Sequence, residues 1–285
     1  MKLIGLMPVR NEEWCLGLTA RAALKWCDEL VILLHDSADA SSEIVQSLGS
    51  RAIVRSIDGP WDEMRHRQQM LETARERSAT HIAIIDADEI LTGNLLGNIR
   101  HAVECLKPED MLQLPGYNLR GGIDRYHSSG VWGQRWFSTA FLDTPQARWA
   151  GDTFHHREPH GVTWNSFQPI RQRDGGTMHL WGASERRLKA KHALYKITEA
   201  LRWPEKSREA IDREYSQSIY GRPWMRETPD TWQFSDVPKE WWEPYADLIK
   251  HLDLDHEPWQ IRHVYNLVEL HGIDTFCGLD LFGVA

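Results

Sequence analysis

His81-Ile82-Ala83-Ile84-Ile85, followed at once by Asp86-Ala87-Asp88-Glu89, is the stretch on which the reading of this chain turns. An apolar run rich in isoleucine is the pattern of a strand buried on both faces. Carboxylates two positions apart at the end of such a strand point the same way, because the strand period is 2. Like charges repel, and burying them unpaired is expensive. A divalent cation offsets both costs, and the hard oxygens of aspartate suit Mg²⁺ or Mn²⁺. Mg²⁺ is commonly shared between one or two carboxylates and the phosphates of a substrate. The stretch therefore points to an enzyme acting on a nucleoside diphosphate or a related phosphorylated donor. Acidic residues at strand ends also serve as helix N-caps and solvated loop residues, so the weight rests on what precedes them.

Upstream, strand and helix patterns alternate. Leu3 to Val9 reads as a strand, and residues 12–25 as a helix with Trp14, Leu18, Ala22 and Leu24 on its apolar side. Leu30 to Leu34 is a second strand. Ser41 or Ser42 then caps a helix that runs through Leu48 and ends near Gly49. Ala52 to Val54 is a short third strand, Pro60 opens a long polar helix reaching about Arg77, and 81–85 is the fourth strand. This alternation argues a doubly wound, mostly parallel α/β sheet, in which ligands bind outside the carboxyl ends of the strands. Arg10-Asn11-Glu12, Asp36 to Asp39 and Asp86 to Asp88 all follow strand ends and converge on one rim.

After Leu106 the character changes. Residues 111–180 read as shorter strands and long loops, with strands at Met111 to Leu114, Trp132 to Leu142 and Thr163 to Phe167. A helix spans about Ser184 to Leu201, bounded by Pro204. The tail, 205–285, is rich in tryptophan and broken by prolines, with a further helix near Trp259 to His271.

The bulk composition narrows the function classes. At 285 residues, 41% hydrophobic and 26% charged, the chain is an ordinary globular one able to bury a large core. A formal charge of −8 argues against tight nonspecific binding to duplex DNA, though a small nucleotide is not excluded, because a bound cation supplies positive charge locally. Cys15, Cys27, Cys105 and Cys277 form no Cys-x-x-Cys pair, so they read as simple thiols. The absence of a long apolar segment and of a signal-like start points to a cytoplasmic protein without integral membrane contact. Of the 14 tryptophans most read as core, with one or two lining an acceptor cleft.

Several motifs in order resemble the family-2-type glycosyltransferases of GT-A fold. Met7-Pro8-Val9-Arg10-Asn11-Glu12-Glu13 is similar to the family's opening Pro-x-x-Asn-Glu motif. Asp36-Ser37-Ala38-Asp39-Ala40-Ser41 resembles its second-strand motif, with Ala40 in place of a glycine. Arg67-Gln68-Gln69-Met70-Leu71-Glu72-Thr73-Ala74 looks like its Arg-Asn-x-x-hydrophobic-x-x-Ala helix, and Asp86-Ala87-Asp88-Glu89 its metal motif. His179-Leu180-Trp181, Ser184, Arg187, Lys191 and Tyr195 resemble its late His…Ser…Arg…Lys…Tyr segment. The match covers roughly residues 2–200.

The resemblance implies a GT-A-like α/β fold with a loop-rich acceptor region and a helical C-terminal extension. Residues 1–106 would bind the nucleotide sugar, 107–202 would complete the domain on the acceptor side, and 203–285 would form the extension. Pro8 and Val9, with Arg10 and Glu12, would frame the base and ribose, and Asp39 or Asp36 would contact them. Arg67 would belong to the donor site and Asp86 would sit near ribose and metal. Asp88 would coordinate Mn²⁺ or Mg²⁺, with His179 a further metal or diphosphate contact and Lys191 a diphosphate contact. Trp149-Ala150-Gly151 precedes a histidine where relatives carry a glutamate, so the general base stays open between Asp152 and Glu158, with His156 a third candidate.

The implied reaction moves a sugar from a nucleoside-diphosphate donor to a hydroxyl, with inversion. The acceptor is left open among a lipid-linked or other saccharide, a protein, a small molecule and a modified base in DNA. Alternatives are a sugar nucleotidyltransferase, a metal-dependent hydrolase using the histidines at 155–160, and a noncatalytic carbohydrate- or nucleic-acid-binding protein. The first of these ordinarily opens with a glycine-rich phosphate loop, which Pro8 to Glu12 lack.

Overall fold

Apolar runs separated by capped polar helices lay down the elements of the chain, described for residues 1–133, 135–151, 156–161 and 165–284 in a computed structural model. In order they are β1 (Leu3–Val9), α1 (Glu13–Ala23), β2 (Glu29–His35), α2 (Ser41–Gln46), β3 (Ala52–Ile57), α3 (Glu63–Glu76), β4 (His81–Ile84) and β5 (Glu89–Leu91). There follow α4 (Ile99–Glu104), β6 (Asp110–Arg120), β7 (Arg125–His127), α5 (Gly130–Gly133), β8 (Arg135–Leu142), β9 (Asn165–Phe167) and β10 (Thr177–Gly182). The last are α6 (Glu185–Arg202), α7 (Arg208–Tyr220), β11 (Phe234–Asp236), α8 (Lys239–Trp242) and α9 (Trp259–His271). The chain divides into two units that interleave in sequence. Met1–Tyr117, Gln134–His179 and Val237–Asp253 make the first, and the remaining segments the second.

In the first unit the strand order is β6-β8-β4-β1-β2-β3. β1 pairs in parallel with β2 and β4, and β2 with β3. β8 joins antiparallel to β4 and β6 antiparallel to β8, while β9 pairs in parallel with β6, so the fold is a mixed α/β one whose main parallel part is its N-terminal four strands. Both faces of that part are covered, as its unbroken apolar strands require. Leu3, Met7 and Val9 with Leu30, Ile32 and Leu34 pack on one side against Leu16 and Ala20 of α1. Ile4, Leu6, Val31 and Leu33 pack on the other against Met64, Met70, Leu71 and Ala74 of α3. β2 and β4 flank β1 on opposite sides, so the strand order reverses at β1. The carboxyl ends of β1 and β4 therefore frame the crevice where such sheets bind ligands.

Several boundaries differ from the sequence reading. α3 begins at Glu63, not Pro60, because Asp62 is the N-cap and its Oδ1 accepts from Arg65 N at 3.0 Å. Ser41 does not cap α2. The N-cap is Ala40, and the Ser41 hydroxyl accepts instead from Glu12 N at 3.1 Å. β6 runs past Leu114, where the sequence reading ends it, through Pro115 and Gly116 to Arg120, because pairing with β8 carries the strand on to Gly116. Trp132 lies on the short α5 and not on a strand. Thr163 falls outside the described residues, and β9 begins at Asn165.

The second unit is helical at its centre. Ser184 caps α6, its hydroxyl accepting from Arg187 N, and the helix buries Ala190, Ala193, Leu194 and Ile197 with Val264 of α9 and Phe276. α9 occupies the span its periodicity predicts. Lys196 is fully buried there, and its ammonium donates to Asp212 Oδ1, Ser216 Oγ and the Asp280 carbonyl at 2.7, 2.8 and 2.7 Å. Among the described residues no helix is long and apolar enough to cross a membrane.

Candidate active site

The rim at the carboxyl ends of β1, β2 and β4 is laced together by side chains that accept main-chain N–H groups. Asn11 and Asp36, in the turns after β1 and β2, hold φ values of 52° and 41°, a left-handed backbone that costs energy outside glycine. Asn11 N donates to Ser37 Oγ at 3.1 Å, and Ala38 N donates to Asn11 Oδ1 at 2.7 Å. Asp39 accepts from Glu13 N at 2.9 Å on one oxygen and from Ser41 N at 3.0 Å on the other. Asp39 is therefore a clamp between the two loops. Asp36 lies at the surface, where its Oδ1 accepts from Gly59 N at 3.4 Å, and its charge bears on Arg10. Burial lowers the Arg10 pKa and Asp36 opposes that shift. Glu12 Oε2 accepts from the Trp14 indole N–H. Pro8 and Val9 are the last residues of β1 and stand in register with Leu33 and Leu34 of β2.

Asp86 and Asp88 do not lie on an extended strand. β4 ends at Ile84, and Glu89 N donates to the Asp86 carbonyl at 3.0 Å, closing a turn over 86–89. Strand alternation is thus not what sets the two carboxylates, and the turn gives them different surroundings. The charge of Asp86 is met by two guanidiniums, Arg67 Nη2 at 3.2 Å from Oδ1 and Arg157 Nη1 at 3.0 Å from Oδ2. Burial pushes the Asp86 pKa up, but Arg67 and Arg157 outweigh it and hold the carboxyl below its ordinary value. Arg67 and Arg157 thus meet part of the charge that the sequence reading assigns to a cation.

Arg157 is the centre of this network. It donates to Glu89 through both terminal nitrogens at 2.7 and 2.8 Å, to the Ile84 carbonyl at 2.7 Å and from Nε to the Ser138 carbonyl at 2.6 Å. Burial disfavours its charge, but Glu89 and then Asp86 raise its pKa above the ordinary value. Burial also pushes the Glu89 carboxyl up, against the pull of Arg157. Arg67 in turn donates from Nε to Glu63 at 3.1 Å. Glu158, the next residue after Arg157, accepts from Ser138 Oγ at 2.7 Å. Ser138 thereby fixes two consecutive residues, one through its carbonyl and one through its hydroxyl. Asp152 and His155 lie outside the described residues, and His156 stacks on His160 with ring centres 4.7 Å apart.

Asp88 is buried, and its Oδ2 lies 3.4 Å from His179 Nε2. β10 brings His179 there by pairing antiparallel with β5, opposite Glu89. Among the described residues no group of three or more His, Cys, Asp or Glu side chains could hold a metal ion. The pair of a carboxylate and an imidazole nonetheless fits a divalent cation whose remaining positions substrate phosphates complete. Lys191 sits half-buried on α6 of the second unit.

The structure thus gathers Arg10, Glu12, Asp36, Asp39, Arg67, Asp86, Asp88, Glu158 and His179 in one unit. Sequence reading gave no role to Arg157, Ser138, Glu63 or Glu89. Glu89 closes the Asp-Ala-Asp-Glu motif, but Arg157 bonds it across 68 positions, a contact no local period reports.

No family model matches the chain, and no curated relative does. Similar solved structures include Staphylococcus aureus TarS 1–349 in complex with UDP-GlcNAc, at 10% identity over 97% of this chain and 89% of that one, with a TM-score of 0.42. A 4-diphosphocytidyl-2C-methyl-D-erythritol synthase is 15% identical over 50% of this chain and 75% of that one, with a TM-score of 0.34. Glucosyl-3-phosphoglycerate synthase from Mycobacterium tuberculosis, in complex with Mn²⁺, UDP and phosphoglyceric acid, is 15% identical over 41% and 43%, with a TM-score of 0.29. Likenesses this distant leave the functional reading to the chain's own residues.

Proposed function

We propose that the chain is a GT-A-type glycosyltransferase that moves a sugar from a nucleoside-diphosphate donor to a hydroxyl acceptor. The observation that carries this reading is the Asp88–His179 pair, 3.4 Å apart, set beside the arginine-matched Asp86 at the reversal point of the parallel sheet. A carboxylate and an imidazole at that crevice suit a cation shared with a diphosphate.

In this reading Asp88 and His179 hold Mn²⁺ or Mg²⁺, whose charge would stabilise the departing diphosphate. Asp36 and Arg10, on their bent loops after β2 and β1, meet the ribose and base, while Asp39, Asn11 and Ser41 keep those loops in register. Asp86, held by Arg67 and Arg157, orients toward the ribose. Glu158 has one oxygen engaged by Ser138, which leaves the other to accept the proton of the acceptor hydroxyl. A single base and direct displacement give inversion. Lys191 is kept as a diphosphate contact from the resemblance alone.

Thermal-shift measurements with a panel of nucleoside diphosphates, with and without Mn²⁺, test the donor site. A ligand at a hundred times its Kd adds about 2.7 kcal/mol to apparent stability. UDP is the first to try, being present in the TarS and glucosyl-3-phosphoglycerate synthase structures. Asp88→Asn is expected to abolish the Mn²⁺-dependent shift with the apo melting temperature little changed. A full shift in that variant would sink the metal assignment. Turnover of the nucleotide sugar with and without acceptor separates transfer from hydrolysis.

A further inference from the structure

The second unit carries a cluster that the proposed transfer reaction leaves unused. Arg120 ends β6, Arg125 and His127 lie on β7, Trp232 precedes β11 and Phe234 opens it, and β11 pairs antiparallel with β7 through Phe234 and His127. The guanidinium carbon of Arg120 is 5.3 Å from the centre of the Trp232 ring, and that of Arg125 is 5.1 Å from the Phe234 ring. His127 packs against both rings, at 5.1 Å from Trp232 and 4.8 Å from Phe234.

The charges of this cluster are not balanced. Arg120 is 8% exposed and donates one hydrogen bond, from Nη1 to the Ser218 carbonyl at 3.1 Å. Arg125 donates from Nε to the Arg120 carbonyl at 2.9 Å. Among the described residues neither arginine has a carboxylate in ion-pairing reach. Glu185, whose charge bears on Arg120, is itself paired with Lys189 at 2.8 Å. Ring stacking recovers only part of what burying a guanidinium costs.

His127 does not supply the missing negative charge. It is 1% exposed, and neither ring nitrogen has a partner. Burial, then the charges of Arg120 and Arg125, push its pKa down to about 4, so it is neutral. The buried Trp232 indole N–H also lacks an acceptor. Buried cations are ordinarily paired and buried N–H groups ordinarily bonded. Here both kinds of deficit occur together, next to an exposed phenylalanine ring.

We propose that Arg120 and Arg125, with Trp232 and Phe234, form an oxyanion-binding site of the second unit that takes a phosphate or carboxylate carried by a molecule with a flat apolar face, such as a sugar phosphate. The planar guanidinium fork matches two oxygens of such a group, and an exposed aromatic face receives the ring. No residue of this site has a part in the transfer reading, so either can fail alone.

Isothermal titration of the full chain in EDTA, which silences metal-dependent diphosphate binding, tests it with inorganic phosphate, glucose 6-phosphate, glucose and acetate. Saturable binding of phosphate, tighter binding of glucose 6-phosphate and none of glucose is the expected result. Arg125→Gln, at the surface, weakens phosphate binding about tenfold, the loss of one charge-assisted bond. Arg120→Lys keeps the charge but not the fork and weakens it as well, while Arg262→Gln on the exposed face of α9 binds as wild type. Stronger binding of acetate with the same variant pattern supports the site and identifies the group as a carboxylate. No saturable binding by the wild type, or unchanged affinity in Arg125→Gln, overturns the proposal. Arg125→Gln decides alone if Arg120→Lys fails to fold.

Discussion

Arg157 holds Glu89 with both terminal nitrogens, at 2.7 and 2.8 Å, although 68 positions separate them in the chain. The same guanidinium reaches Asp86, the end of β4 and the Ser138 carbonyl of β8. One side chain therefore ties the candidate base segment to the turn that carries Asp88. Removing one partner of a buried pair leaves the other uncompensated, at about 3–5 kcal/mol. Arg157→Ala is expected to lose stability on that scale in urea denaturation, and Arg157→Ala with Glu89→Gln to recover part of it. A single variant within about 0.5 kcal/mol of wild type, the range of ordinary surface changes, would show that the network is ornamental to the fold.

Glu158 is oriented by the Ser138 hydroxyl and stands next to Arg157. If it takes the acceptor proton, Glu158→Gln lowers kcat by about a hundredfold to ten-thousandfold. The donor-induced thermal shift should be preserved, since the base does not touch the diphosphate. Ser138→Ala, which frees the carboxylate without removing it, should lower kcat less. Wild-type turnover by Glu158→Gln moves the base to Asp152 or His156.

Substitution of Lys191 tests whether α6 contributes to donor turnover. A contact that strengthens as the leaving diphosphate gains charge is worth about 2–4 kcal/mol in the transition state. Lys191→Ala then slows transfer at saturating donor far more than it weakens donor binding. Near-wild-type turnover would confine the site to the N-terminal rim.

Two buried histidines set an acid limit on stability. His66, beside His35 and Trp61, is pushed down to about 4, chiefly by burial and then by His35, and His127 likewise to about 4. An unfolded histidine titrates near its ordinary 6.5, so between about 6.5 and 4 the unfolded chain binds the extra proton. Stability from these groups is complete above about pH 6.5 and declines as pH falls toward 4, by up to about 1.4 kcal/mol per pH unit for each group. Chemical denaturation from pH 7 to 4.5 measures the slope, and His66→Gln should flatten it. A variant with the wild-type slope would contradict the assignment to His66.

The sequence by itself determined the N-terminal α/β sheet and the rim on which its polar clusters gather. Strand period, helix period and the polar residues after each strand are local properties, so β1, β2, β4, α6 and α9 fall close to where their patterns place them. The resemblance of its motifs also singles out Asp88 and His179, which the pairing of β10 with β5 brings together. What the tertiary structure alone decided is how charge is shared. Asp86 and Asp88 look equivalent in the sequence, yet long-range contacts give one to Arg67 and Arg157 and set the other against His179. Asp39, legible as a ligand contact, proves to be a clamp on main-chain N–H groups, because only the folded loops bring Glu13 and Ser41 to it. Arg157 carried no periodic or motif signal at all, since its partners are set by how β4, β5 and β8 assemble and not by its neighbours in the chain.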